Sequence, residues 1–206
     1  MRLNLKYQQI VQGNFSLKRT NLMMAFQVNC PGCFMHGFPL LTELQNHFGS
    51  SLNCFALSTA FEDFELNTAE NTKKLLTTGE PVGETLKAYQ TGLPYTISLP
   101  VLMDNLIAKK ELISHAFIES VCRNVAEKTI SAEELRNLQE SLHNYYRQMP
   151  TCGYTFAANL MRGTPSFFLF TDTLEILAQW FGHADSTLVK EKLDMLIRKN
   201  NGQVAI

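Results

Sequence analysis

No run of about 18 apolar residues occurs in this 206-residue chain, which argues against a membrane-spanning helix. The first residues, MRLNLKYQQIVQGNF, lack the apolar middle region of a secretory leader, so the expected setting is cytoplasmic. An excess of one charge is missing too. Lys and Arg number 18 against 19 Asp and Glu, a formal net charge of -1. With no basic cluster either, neither nucleic acid nor a membrane surface is an expected partner. The five cysteines, at 30, 33, 54, 122 and 152, are an odd number at irregular spacing. That is not the framework of a stapled secreted domain, and in a reducing compartment a Cys-x-x-Cys pair points to redox or metal chemistry. Repeats and low-complexity linkers are absent. What is present is ordinary: 45% hydrophobic and 18% charged residues, enough for one domain over 1–206 with a full core.

The pattern along the chain predicts an α/β fold. Residues 1–15 hold an early strand. LMMAFQV, 22–28, is a continuous apolar run of strand length, buried on both faces. A helix follows, with Leu40, Leu41, Leu44 and Phe48 at helical spacing and Gly49 as its stop. Pro39 lies inside that pattern and should kink the helix, with Gly37 easing the bend. SLNCFALST, 51–59, is a second buried strand. Asn67 and Glu70 resemble a capping box for a helix ending at Thr78–Gly79, and a short helix is expected between Gly83 and Gly92. YTISLPVLMD, 95–104, reads as extended, with Pro100 marking an edge or irregular strand. No glycine occurs between Gly92 and Gly153. Within this stretch Ile113, Phe117, Val121 and Val125 step by four, and Leu135, Leu138, Leu142, Tyr145 and Met149 by three and four. Two amphipathic helices joined at 129–131 are expected, the second opened by a Ser131–Glu134 capping box. SFFLF, 166–170, and ILAQWFGH, 176–183, read as a hairpin. Asp185 or Ser186 caps a last helix that turns Val189, Leu193, Leu196 and Ile197 inward.

The chemistry concentrates in Cys30-Pro31-Gly32-Cys33, between a buried strand and a helix. A cysteine at a helix N-terminus has unpaired N–H groups and the positive dipole end beside its sulfur, which favour thiolate over thiol. Pro31 suits the first turn, where its missing N–H loses nothing. Cys33, three residues on, faces the same side, so the two sulfurs can reach bonding distance. Cys30 would attack a substrate disulfide and Cys33, one turn deeper, would release the product. A zinc site is the competitor. It needs four ligands, and neither Cys54, Cys122 and Cys152 nor the five histidines pair at the required spacing. No metal and no cofactor is called for.

Gly163-Thr164-Pro165 leads directly into the strand at 166–170. An X-Pro bond can be cis at modest cost, and a cis turn would offer the Thr164 backbone as a short edge for a substrate strand. Taken together, strand–CPGC–helix–strand–helix and then GTP–strand–hairpin–helix resemble the thioredoxin superfamily, most closely its TlpA-like thiol-disulfide oxidoreductases. The resemblance covers roughly residues 15–104 and 153–199. It implies a central mixed sheet flanked by helices, with a two-helix insertion over approximately 105–152 before the cis-proline strand. It also implies that Cys30 is the nucleophile, Cys33 the resolving thiol and Pro165 a cis residue facing them.

This chain departs from the pattern at four places. Asn29 stands where the family commonly has Trp, and His36 where TlpA-like proteins often have Glu. Pro39 falls six residues after Cys33 rather than five, so the local helix is expected to hold an extra residue. A buried acid of the thioredoxin type would fall near Met24, which moves no protons, leaving His36 as the candidate proton carrier.

The expected function is thiol-disulfide exchange on a protein or small-molecule disulfide, in the reducing direction. Electrons would come from a thiol reductant such as a reductase or thiol pool. A thiol peroxidase of peroxiredoxin-like type is the alternative, although Gln27 occupies the place where such a site carries Thr or Ser three residues before its cysteine. A redox-sensing binding module is the third reading, the inserted helices serving as a specificity lid or a dimer surface. Glu62 and Asp63, at the C-terminal end of the 51–59 strand, read as a solvated loop with proton relay as the sharper option. Cys54 and Cys122 read as inert buried thiols. Cys152 reads as a loop thiol, with an auxiliary redox role as the alternative. Trp180 is expected in the core, and the Tyr145-Tyr146 pair half-buried with one ring free for a partner.

Overall fold

The apolar runs become the middle of a sheet. In the computed structural model, which describes residues 1–125, 131–200 and 202, the chain runs β1 (Tyr7–Gln12), β2 (Thr20–Phe26), α1 (Phe38–Phe48), β3 (Asn53–Ser58), α2 (Ala69–Thr78), α3 (Gly83–Tyr89), β4 (Val101–Asp104), β5 (Leu106–Ala108), α4 (Lys109–Leu112), α5 (His115–Val125), α6 (Ala132–Tyr146), β6 (Thr151–Gly153), α7 (Tyr154–Ala158), β7 (Ser166–Thr171), β8 (Ile176–Phe181) and α8 (Ser186–Asn200). Six strands form one mixed sheet in the order β1-β4-β3-β2-β7-β8. β2 pairs parallel with β3 and antiparallel with β7. Every residue of β2 is buried, as a strand covered on both faces requires.

The alternation of β2 and β3 side chains feeds two separate cores. Leu22, Met24 and Phe26 pack with Phe38, Leu41 and Leu44 of α1 and with Leu193 and Ile197 of α8. Met23, Ala25, Phe55 and Leu57 pack on the opposite face with Val121 and Cys122 of α5, Leu142 and Tyr146 of α6, and Phe156 of α7. The helical segment expected as an addition is therefore one of the two layers that bury the sheet. α5 and α6 carry the expected apolar stripes at Phe117 and Val121 and at Leu135, Leu138 and Leu142, but Ile113 and Met149 fall outside the two helices and the Val125 side chain lies outside the described residues. Ser131 and Glu134 form the capping box at the start of α6. The expected junction at 129–131 falls largely outside the described residues.

The structure corrects three local expectations. The cap of α2 is Thr68, whose hydroxyl accepts from Asn71 N–H, not Asn67. Gly79 ends that helix at φ 75°. Pro100 does not mark an edge: β4 lies between β1 and β3, and the Pro100 carbonyl accepts from Ala56 N–H just ahead of the strand. Cys152 is not in a loop but in β6, paired with Ile107 of β5 in a two-stranded sheet.

Candidate active site

The helical stretch after β2 begins at Pro31, so Cys30 takes the place of its N-terminal cap. The Cys33 amide donates to the Cys30 sulfur at 3.3 Å. The sulfur thus plays the role that a Ser or Asp oxygen plays at an ordinary helix start. Cys33, one turn on, is completely buried, while Cys30 remains half-exposed.

Pro39 and the π turn explain each other. Residues Cys33–Gly37 form a π turn in which Phe38 N–H reaches back to the Cys33 carbonyl. The extra residue expected from the offset of Pro39 is this widened turn. The next N–H in that ladder would belong to residue 39, a proline, and does not exist. Phe34 carbonyl is consequently left over, and the Tyr95 hydroxyl donates to it. Gly37 is glycine because of what it faces. A Cβ there would lie 2.7 Å from Met24 Sδ and 3.3 Å from Pro165 Cβ. The absence of a side chain lets the π turn close onto the proline.

The Thr164-Pro165 bond is cis, and it meets the cysteines. The Cys30 thiol donates to the Thr164 carbonyl at 3.4 Å. The Pro165 carbonyl accepts from Gly182 N–H at 2.8 Å, which ties the turn to the end of β8. Motifs separated by more than a hundred residues are thereby brought to one point at the C-terminal end of β2.

The two thiols are unequal. Cys30 is lowered to about 7, first by hydrogen bonding from the Cys33 thiol; burial and the Glu62 carboxylate oppose this, while Thr164 and the Cys33 amide assist it. Cys33 is pushed well above an ordinary thiol, first by burial and then by the neighbouring Cys30 sulfur. The pair therefore has one half-buried sulfur that ionises near neutrality and one fully buried sulfur held as thiol. The other cysteines are different: burial pushes both Cys54 and Cys152 up to about 12. Cys152 is fully buried and beside Asp104, so its geometry offers nothing to an auxiliary redox role. Cys122 is buried on α5 as expected.

The remaining sequence candidates divide. Gly32 has open space where a side chain would stand. His36 projects to the surface, its ring centroid 4.6 Å from that of His183. Glu62 and Asp63 are both exposed, and Asp63 is drawn into a network the sequence did not disclose. Asn29, at the place of the usual tryptophan, donates to the Asp63 carboxylate at 2.7 Å and accepts from Glu84 N–H at 2.6 Å. Asn67, fully buried, accepts from the Asn29 amide at 3.0 Å and donates to the Glu62 carbonyl at 2.9 Å. These bonds lock the residue preceding Cys30 to the loops before α2 and α3. The Asn67–Asn29 contact occupies the side chain that would otherwise have capped α2. The one signal that could have exposed the network is the polar residue itself, in a place where a large apolar one is usual. Trp180, expected in the core, is only partly buried on the edge strand β8, where it stacks on core residue Phe167 with centroids 4.8 Å apart.

No protein-family model and no curated protein matches the chain. Solved structures do. One is described as a thioredoxin-like superfamily protein, 23% identical, covering 96% of each chain with a TM-score of 0.58. Another is described as a thiol-disulfide isomerase from Corynebacterium glutamicum, 19% identical, again covering 96% of each chain with a TM-score of 0.58. The fold of this chain is thioredoxin-like.

Proposed function

We propose that this thioredoxin-like chain is a thiol-disulfide oxidoreductase of the TlpA-like kind, working as a reductant in a cytoplasmic, reducing setting. One observation carries the reading: Cys30 sulfur stands 3.4 Å from the Thr164 carbonyl, beside a cis-proline turn, with buried Cys33 behind it. A structural thiol pair would not need a half-buried, ionisable sulfur facing the Thr164 backbone. The similar Corynebacterium protein, described as a thiol-disulfide isomerase, supports the same class.

The chemistry follows from the asymmetry. Cys30 thiolate attacks one sulfur of a substrate disulfide. The substrate S–S bond breaks, its distal sulfur leaves as thiolate and takes a proton, and a mixed disulfide remains on Cys30. Cys33 then attacks the Cys30 sulfur and breaks that bond, and its proton goes to the departing substrate thiolate. The substrate has gained two electrons and two protons, and the protein holds a Cys30–Cys33 disulfide. An external thiol reductant, a reductase or a thiol pool, restores the dithiol. Met24 sulfur occupies the buried space beneath Gly37. A thioether accepts no proton, so direct transfer from Cys33 to the leaving thiolate is the route this site favours.

Gln27, fully buried, donates its side-chain amide to the Glu62 carbonyl. It offers Cys30 no hydroxyl of the kind a peroxidase site would carry. The test is trapping. Cys33→Ser should accumulate a mixed disulfide between Cys30 and a disulfide substrate, and Cys30→Ser should accumulate none. Equal trapping by both variants, or by neither, would overturn the assignment.

A further inference from the structure

The segment between β4 and the cis-proline turn does more than cover the sheet. A groove of about 290 Å³ is lined by Leu142, Tyr145 and Tyr146 of α6, by Phe156 of α7, and by Leu160 and Arg162. Arg162 is only two residues from Thr164, so the groove begins where the turn facing Cys30 ends. Its other end is tied to the thiol as well. Phe61 stacks on Phe156 of the groove with centroids 4.1 Å apart, and the carbonyl of its neighbour, exposed Glu62, accepts from Gln27 and from Asn67, which is itself bonded to the Asn29 amide beside Cys30. Tyr146 is buried and Tyr145 is 49% exposed, so one aromatic face is left open at the groove. Among the described residues, neither Arg162 nor Glu62 forms an ion pair. An apolar trough is thus bracketed by a free cation at one end and a free anion near the thiol.

Resting on the redox reading above, we propose that this groove seats the polypeptide flanking the substrate's cysteine: an extended segment with an apolar side chain against Tyr145 and an acidic one beside Arg162. An extended chain advances about 3.3 Å per residue. A segment reacting at Cys30 and passing over Thr164 therefore brings its next few side chains over Leu160 and Arg162. Charge complementarity selects an acid at the Arg162 end, and Glu62 disfavours one directly beside the reacting cysteine. A small disulfide without flanking chain gains nothing from the groove. The helical segment thereby makes the protein a reductant selective for polypeptide disulfides.

The probes are peptide disulfides with Leu next to the cysteine and Glu or Lys at the following position, before the cysteine in one series and after it in the other. Hydroxyethyl disulfide is the small neutral control. In one of the two series the protein should prefer the Glu peptide by about tenfold in kcat/KM, and Arg162→Glu should invert that preference. Tyr145→Ala should slow both peptides of that series several-fold. All variants should reduce hydroxyethyl disulfide within about twofold of the unmodified protein. Both residues are exposed, and far-UV circular dichroism checks that the variants fold. Reduction of hydroxyethyl disulfide with no peptide preference, or a preference untouched by Arg162→Glu, would overturn the groove assignment and leave the redox reading standing. Reduction of none of these probes would overturn the redox reading itself.

Discussion

Replacing Gly37 by Ala tests whether the π turn and the cis-proline turn are held together by close packing. The added Cβ would stand 2.7 Å from Met24 Sδ and 3.3 Å from Pro165 Cβ. Met24 is fully buried, so its sulfur has little room to retreat. Overpacking of this kind costs about 1–3 kcal/mol. An opposing effect exists: Gly37 has helical torsions, φ -65° and ψ -58°, and Ala is favoured over Gly in a helix by about 0.5–1 kcal/mol. The net effect should be destabilisation by about 0.5–2 kcal/mol. In a Met24→Ala background the sulfur is gone and the new methyl enters the space it leaves. There Gly37→Ala should stabilise by about 0.5–1 kcal/mol. Urea unfolding of the four proteins, followed by circular dichroism, gives both values and their difference. A Gly37→Ala effect of the same sign and size in both backgrounds would refute the packing argument.

Three further outcomes follow from the site and its surroundings. Alkylation of Cys30 should rise with pH and reach half its plateau near pH 7, whereas Cys33→Ala, which removes the donor without replacing it, should shift that midpoint upward, because the Cys33 thiol is the largest influence lowering Cys30; an unchanged midpoint would contradict this. Tyr95→Phe leaves the Phe34 carbonyl without its donor and should destabilise the protein by about 1–3 kcal/mol in urea unfolding. Asp104, fully buried and bonded to Thr59 and to the Thr155 and Phe156 amides, is raised to about 6, chiefly by burial. Because the folded state holds this proton after the unfolded state has released it, stability should fall by roughly 3 kcal/mol between about pH 4 and 6, and Asp104→Asn should abolish that slope.

What was legible in the sequence was what is periodic or chemically singular. The runs at 22–28, 51–59 and 166–170 had no polar face to place outside, so they could only lie in the middle of the sheet. The displaced Pro39 signalled one extra residue, and the π turn at Cys33–Gly37 holds it. The cysteine and proline motifs each carried their own meaning, and the fold brings them together at one sheet end. What was not legible depends on partners far along the chain. β5 and β6 are three residues each and exist only because Leu106–Ala108 meets Thr151–Gly153. Asp104 gives no sign in sequence that it will be buried under the start of α7. Asn67 and Thr68 are adjacent and both suited to capping; only the long-range claim of Asn29 on Asn67 decides between them. The second core shows the same limit: the periodicity of α5 and α6 revealed an apolar stripe, but not which surface it covers.

The most direct measurement is equilibration of the full chain in glutathione redox buffers, with alkylation and peptide mapping at each potential. The account predicts that Cys30 and Cys33 alone lose their thiols, together and in a two-electron step, within the range of roughly -270 to -120 mV spanned by thioredoxin-like centres. Persistence of both thiols across that range, or oxidation starting at Cys54, Cys122 or Cys152, would contradict it.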